Sequence, residues 1–269
     1  MCLTPVRQTD TSSTLPSIVT PVLSSYLRKE TSARHLEKQL KIENSVALVT
    51  GANRGIGAQF ARKLHERGAS KVYAGARDAA RVTVPGVEPV SLDITDPKSV
   101  AAAATLAGDV TLLVNNAGIA QAQDLVDGDV DRIRAEIETN VFGTLAMIRA
   151  FAPILARNGG GAIVNILSAA SWFCYPGSSS YAVSKAAQWN LTNGVRMELD
   201  AQGTLVVGVH VGLVDTDLTS ALDVEKMPPA EFVEIALDGL ENGQLEIVAD
   251  DLSRRAKAAL AGAPSLAVP

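Results

Sequence analysis

The chain has 269 residues, 47% hydrophobic and 20% charged, enough to bury the core of one large domain. A net charge of −5 and a pI near 5.3 leave no basic field for nucleic acid, and with a mean hydropathy of +0.16 no run approaches the roughly 20 apolar residues of a membrane span. Two cysteines (Cys2, Cys174) and three scattered histidines (His35, His65, His210) make neither a disulfide framework nor a zinc-ligand spacing, so no metal site is expected.

Residues 1–42 are rich in Ser, Thr and Pro (Thr11, Ser12, Ser13, Thr14, Pro16, Pro21) and poor in acids, which predicts a flexible N-terminal extension. A targeting peptide carrying Arg7, Arg28 and Arg34, or a partner-binding arm, is the alternative, and residues 28–41 have the charge of a helix. Residues 43–269 then form a single domain.

From Ser45 short apolar runs alternate with longer amphipathic segments. The runs at 46–49, 71–74, 87–92, 112–114, 162–166, 205–211 and 245–248 lack polar alternation, as strands buried on both faces should. Helical segments fall at 59–67, 130–155, 181–199 and 229–239. Such alternation predicts an α/β, Rossmann-like, doubly wound three-layer sandwich around a seven-stranded parallel sheet.

Directly after the first strand comes Gly51-Ala52-Asn53-Arg54-Gly55-Ile56-Gly57. Gly51 permits a tight turn, Gly55 lets backbone approach a pyrophosphate, and Gly57 lets helix and sheet pack closely. The phosphates would sit at the following helix N-terminus, where free N–H groups favour anions. The second strand ends in Ala74-Gly75-Ala76-Arg77, with no acid before Asp78 to bind a ribose 2′-hydroxyl. Arg77, with Arg54 from the turn, can instead pair with a 2′-phosphate, so NADP(H) is the preferred cofactor and NAD(H) the alternative.

Further along, Tyr181 and Lys185 are four apart in a helical segment, hence on one face, one turn apart. A nearby ammonium favours phenolate, so the pair can work as a general acid in reduction and a general base in oxidation. Ser168, just past the fifth strand, lies at the carboxyl edge where open α/β sheets bind ligands and can donate to a carbonyl oxygen.

The glycine turn, the run Asn115-Asn116-Ala117-Gly118, Ser168, and the Tyr181/Lys185 pair occur in the order and spacing of the short-chain dehydrogenase/reductase family, which the sequence resembles from about residue 45 to 250. The resemblance implies that Asn53, Arg54 and Ile56 join the three glycines around the cofactor, that Asp93 and Ile94 contact its adenine, that Asn115 binds there by steadying the sheet beside its ribose, and that Ala117 and Gly118 join the cofactor site. It implies a catalytic set of Asn140, Ser168, Tyr181 and Lys185, with the Asn140 backbone carbonyl holding a water in a proton relay to Lys185. Lys185 and Tyr181 also bind the nicotinamide ribose, while Gly212, Val214 and Thr216 hold the carboxamide. The family's proline in that last turn is Val211 here, a departure. A cap or turn role for Asp93, ahead of Thr95 and Asp96, stays open.

Ser168, Ala170, Trp172 and Tyr175 are expected to form the substrate pocket, with Phe173 beside them, under a short lid at 218–228; the alternative is that one or two of Trp172, Phe173 and Tyr175 pack under the loop or at a subunit contact. The reading is of a cytoplasmic oxidoreductase moving hydride between NADP(H) and an aldehyde, ketone or secondary alcohol, without nucleic-acid or membrane partners. As the family habit implies, it forms a homodimer or homotetramer, in whose contact Trp189 is placed. A non-catalytic NADP(H)-binding sensor or scaffold, or an epimerase or dehydratase on the same core, are the alternatives.

Overall fold

Seven parallel strands carry the architecture: β1 (Val46–Thr50), β2 (Lys71–Ala76), β3 (Glu88–Ser91), β4 (Leu112–Asn115), β5 (Ala162–Ile166), β6 (Leu205–His210) and β7 (Glu246–Val248). Their order across the sheet is β3-β2-β1-β4-β5-β6-β7. The structure is a computed structural model describing residues 40–262, all in one unit that begins at Gln39. Most of the expected extension, with Cys2 and His35, lies outside the described residues. Its expected boundary moves: Ile42 is fully buried and donates its N–H to Glu241, so it belongs to the domain.

Neighbouring residues on each strand point to opposite faces, which splits the core in two. Ala47, Val49, Leu112 and Val114 pack under α1 (Gly55–Glu66) and α6 (Pro229–Glu241). Leu48, Leu113 and Ile163 pack under α2 (Pro97–Leu106), α4 (Thr144–Arg157) and α5 (Ser179–Leu199). The expected three-layer, doubly wound α/β sandwich is therefore present. The α1–α6 pair is also clamped by Arg67, whose guanidinium reaches Glu234, Asp238 and Glu241.

Two helices were not foreseen. The Ala-rich α2 has little apolar periodicity, yet the Asp96 side chain caps it and Pro97 starts it. The polar α7 (Asp251–Ala259), with Asp251, Arg254, Arg255 and Lys257 along it, is capped by Asp250. The long segment expected over 130–155 is divided into α3 (Val130–Ile137), one π-helical turn (Glu138–Gly143) and α4, and Asn140 sits in the π turn. By length and composition alone Val130–Arg157 is apolar enough to cross a membrane. Its apolarity has another use here, since Met147, Ile148, Phe151, Ile154 and Leu155 are buried against the sheet.

Candidate active site

Between β1 and β4 the strand order reverses, and a cleft of about 520 Å³ opens at the carboxyl ends of the strands. On one side it is walled by backbone. Gly51 has φ +66°, and a Cβ at Gly57 would overlap the Gly51 carbonyl, so the turn and α1 meet as closely as chain allows. Asn116 ties this turn to β4, its Nδ2 donating to the Thr50 carbonyl at 2.9 Å, while Thr50 Oγ1 accepts from the Asn116 and Ala117 N–H groups, both at 3.0 Å. No side chain caps α1 and no acid lies in its first turn. The first amide groups of α1, at Gly55, Ile56 and Gly57, therefore lie at the cleft without a side-chain acceptor, which fits a dinucleotide phosphate.

Most residues expected to hold the cofactor line this cleft: the three glycines, Asn53, Arg54, Ile56, Arg77, Asp93, Ile94, Ala117, Gly118, Gly212, Val214 and Thr216. Asp93 also serves its own turn, accepting from the Thr95 N–H at 2.9 Å and its hydroxyl at 2.7 Å. Those donors, with Arg77 nearby, hold its carboxyl below the usual range. Arg54 reaches across to pair with Asp217. Asp78, the acid beyond Arg77, accepts from the Ala80 N–H and so caps the turn Ala79–Arg81.

Asn115 steadies the sheet, as the resemblance implies, but does not line the cleft with the other cofactor residues. It lies on the opposite face from Val114, buried, and its Nδ2 donates to Asn165 Oδ1 at 2.9 Å, stitching β4 to β5. Asn116, the next residue, is the one at the cleft. Strand alternation was the signal that separates the two.

The other side of the cleft is walled by side chains. Ser168 leaves β5 and caps the turn Ala169–Ser171, its Oγ accepting from the Ala170 N–H at 3.1 Å. Tyr181 and Lys185 project from α5 into the same cleft, with Lys185 Nζ 5.7 Å from the Tyr181 ring centre. Burial pushes the Tyr181 phenol up, the Ser168 hydroxyl beside it holds it down, and Tyr175 and Glu136 add to the rise. Burial alone pushes Lys185 down, to about 8. Its Nζ donates to the Ile166 carbonyl at 2.9 Å and to Gln188 Oε1 at 2.8 Å.

Asn140 does not reach the cleft. Its side chain is fully buried, bonded to both backbone groups of Ile119 and to Ser184, and its carbonyl accepts from the Thr144 hydroxyl at 2.9 Å. The side chain ties the π turn to Ile119 and α5, which fixes where that carbonyl lies.

Trp172 corrects the expected pocket. It is 9% exposed and stacks on the buried His210 ring with centres 3.8 Å apart. Ala170 is buried beside it, and neither lines the cleft. Trp189, expected at a subunit contact, is partly buried, meets Trp172 edge-on at 6.1 Å and donates to Glu246 at 3.2 Å. His210 Nδ1 lies 3.1 Å from the Ser168 carbonyl, which can only accept, so Nδ1 is protonated and donates. Tyr175 is half-buried, tilted on Phe173 at 6.1 Å, and is absent from the cleft wall. The expected lid is a short turn, Asp217–Thr219, followed by a strap that returns to pair Val214 with Met227. Val211, in place of the family's proline, is buried, and its carbonyl accepts from the Ala169 N–H at 2.9 Å.

Residues 45–226 match the family model for short chain dehydrogenases. An uncharacterised oxidoreductase of Staphylococcus saprophyticus is 32% identical over 219 residues, covering 75% of this chain and 93% of that one. A short chain dehydrogenase of Burkholderia cenocepacia, solved in complex with NADP, is 42% identical with a TM-score of 0.80, covering 83% and 95%. A 3-ketoacyl-(acyl-carrier-protein) reductase of Brucella melitensis, complexed with NADH, is 26% identical with a TM-score of 0.73, covering 78% and 98%. With its glycine turn and its Ser168, Tyr181 and Lys185 side chains opening on one cleft, the chain belongs to the short chain dehydrogenase family of oxidoreductases.

Proposed function

We propose that the protein reduces an aldehyde or ketone to the alcohol, and runs the reverse oxidation, with NADP(H) as the preferred cofactor. The observation that carries this reading is the convergence of Ser168, Tyr181 and Lys185 on the cleft that the glycine turn forms. The bound dinucleotide supplies or accepts the hydride. Ser168 Oγ donates to the substrate oxygen as charge develops there, its own orientation fixed by the turn that it caps. Tyr181 delivers the proton that completes the alcohol, or removes it in oxidation. Burial keeps that proton on the phenol near neutral pH, which suits the reductive direction. Lys185 places a positive charge beside the phenol and binds the nicotinamide ribose hydroxyls.

The preference for NADP(H) rests on Arg77 and Arg54 at the cleft and on Asp78 being occupied in its own turn. The likeness to the NADP-bound Burkholderia cenocepacia protein supports it. Arg77→Asp is expected to weaken NADPH binding far more than NADH binding, and equal losses would remove this role.

The deciding experiment follows loss of reduced nicotinamide absorbance against a panel of aldehydes, ketones and quinones, with Tyr181→Phe beside the wild type. Turnover that drops about 10²- to 10⁴-fold in the variant is the expected outcome. NADPH binding without turnover of any carbonyl would replace this reading with a non-catalytic binder.

A further inference from the structure

Behind Lys185 lies a closed chain of buried polar groups that the reaction as described does not use. Lys185 Nζ donates to Gln188 Oε1 at 2.8 Å, Gln188 Nε2 donates to Thr144 Oγ1 at 3.0 Å, and Thr144 Oγ1 donates to the Asn140 carbonyl at 2.9 Å. Gln188 and Thr144 are each 1% exposed, and Asn140 is fully buried. Every donor in the series points away from the ammonium and toward the π turn. An amide in the middle cannot hand a proton on without becoming its imidic acid, so the series holds geometry and charge rather than conducting protons.

An ammonium has three N–H donors. The Ile166 carbonyl takes one and Gln188 a second, leaving one for the cleft. Both protein partners are oxygen acceptors, which favour the charged amine over the neutral one. Burial acts in the opposite sense.

We propose that Gln188 is a positioning residue for Lys185: its amide keeps the amine charged, aims its one remaining N–H into the cleft, and fastens it through Thr144 to the π turn at Asn140. The proposal rests on the reductase reading only for its effect on turnover. The groups facing the amine come from three sides. β5 presents the Ile166 carbonyl and α5 presents Gln188 and the Tyr181 ring, while the cleft is the third side; the Thr144 hydroxyl and the Asn140 carbonyl reach the amine only through Gln188. Of these Tyr181 alone titrates, and Glu136 on α3 acts on that phenol.

The test compares wild type, Gln188→Met and Gln188→Glu by trace acetylation of the cofactor-free protein with acetic anhydride across pH, reading Lys185 by mass spectrometry. The midpoint of the reactivity curve reports the amine's titration, whereas access alters only its amplitude. Met keeps the length of Gln without its acceptor, so the midpoint is expected to fall by about one pH unit, the worth of a hydrogen bond to a charged group. A carboxylate at 188 is expected to raise it. In carbonyl reduction the alkaline limb of kcat should move with each midpoint. Coincident midpoints, or shifts in the same direction for Met and Glu, would overturn the proposal, because a structural defect has no reason to act with opposite signs. Diverging midpoints in a protein that reduces no carbonyl would uphold Gln188 and remove the reductase reading instead. Should Gln188→Met not fold, Thr144→Val takes its place, with a smaller fall expected and an unmoved midpoint counting against the link to the π turn.

Discussion

On the β1 side of the cleft, Gly51 and Gly55 bring bare backbone to the surface, with Gly57 and the Asn116 side chain packed close behind them. On the β5 side, Ser168, Tyr181 and Lys185 arrive as side chains, and two of them are held from behind by groups that do not line the cleft, Ser168 by His210 and Lys185 by Gln188. The two constructions fail differently. A backbone wall is spoiled by one added methyl group at the wrong glycine, whatever the rest of the protein does. A side-chain wall fails when a buried support is removed, even far from the reacting atoms.

The largest effect is expected from such a support. Trp172 stacks on His210, which in turn holds the Ser168 carbonyl. Trp172→Ala should cost about 3–5 kcal/mol of folding stability, measured by urea unfolding. Turnover should fall through Ser168 while the NADPH dissociation constant barely changes. If NADPH binding fell as much as turnover, the two sides would not be separately supported.

Gly57→Ala tests the backbone wall. The added Cβ would overlap the Gly51 carbonyl and the Asn116 amide, so α1 must lift away from the turn. NADPH binding, read by fluorescence titration, should weaken at least about a hundredfold, which corresponds to about 2.7 kcal/mol. A near-normal dissociation constant would mean that close helix–turn packing does not shape the phosphate cradle.

This division also explains what the sequence made legible. Glycine positions and strand periodicity are local, so the first turn, the seven strands and the three-layer order could be read before any coordinates. Tyr181 and Lys185 were legible because a spacing of four fixes a face of a helix. The supports were not. Nothing near Trp172 signals that His210, on β6, will take its ring face, and an aromatic after Ser168 reads equally well as a pocket wall. Gln188 and Thr144 each lie at helical spacing from a site residue, but their bond joins α5 to α4, and only the fold brings those helices together. Asn115 and Asn116 differ by one position and by a whole face of the sheet.

A smaller effect belongs to the acid below His210. Glu246 accepts from Trp189, pairs with Lys257 and lies 3.5 Å from His210 Nε2. The His210 ring, then Lys257, hold its carboxyl down to about 2 against the opposing effect of burial. A carboxyl depressed in the folded state stabilises fully above its unfolded value near 4.5, and that contribution is lost as pH falls toward 2. With the side chain 23% exposed, the contribution is on the order of 1–3 kcal/mol. Glu246→Gln should therefore be less stable than wild type at pH 6, with the gap closing between about pH 5 and 2. A gap independent of pH would assign the loss to packing.

The smallest expected effect is at the point where the two sides of the cleft touch. Arg54, from the glycine turn, pairs with Asp217, from the lid, with side chains 63% and 70% exposed. An exposed pair of this kind is worth less than about 1 kcal/mol to the fold. Its weight lies in competition, because the guanidinium proposed for the 2′-phosphate must first leave Asp217. Asp217→Asn keeps the shape of the lid and removes the rival charge. NADPH affinity should rise by about two- to fivefold at low salt, the span of such a pair, and the gain should fade as salt screens both contacts. NADH, which lacks the 2′-phosphate, should gain less. An equal gain for both cofactors would place the effect in lid opening, and the comparison of the two sides would then need the lid as a third, independent part.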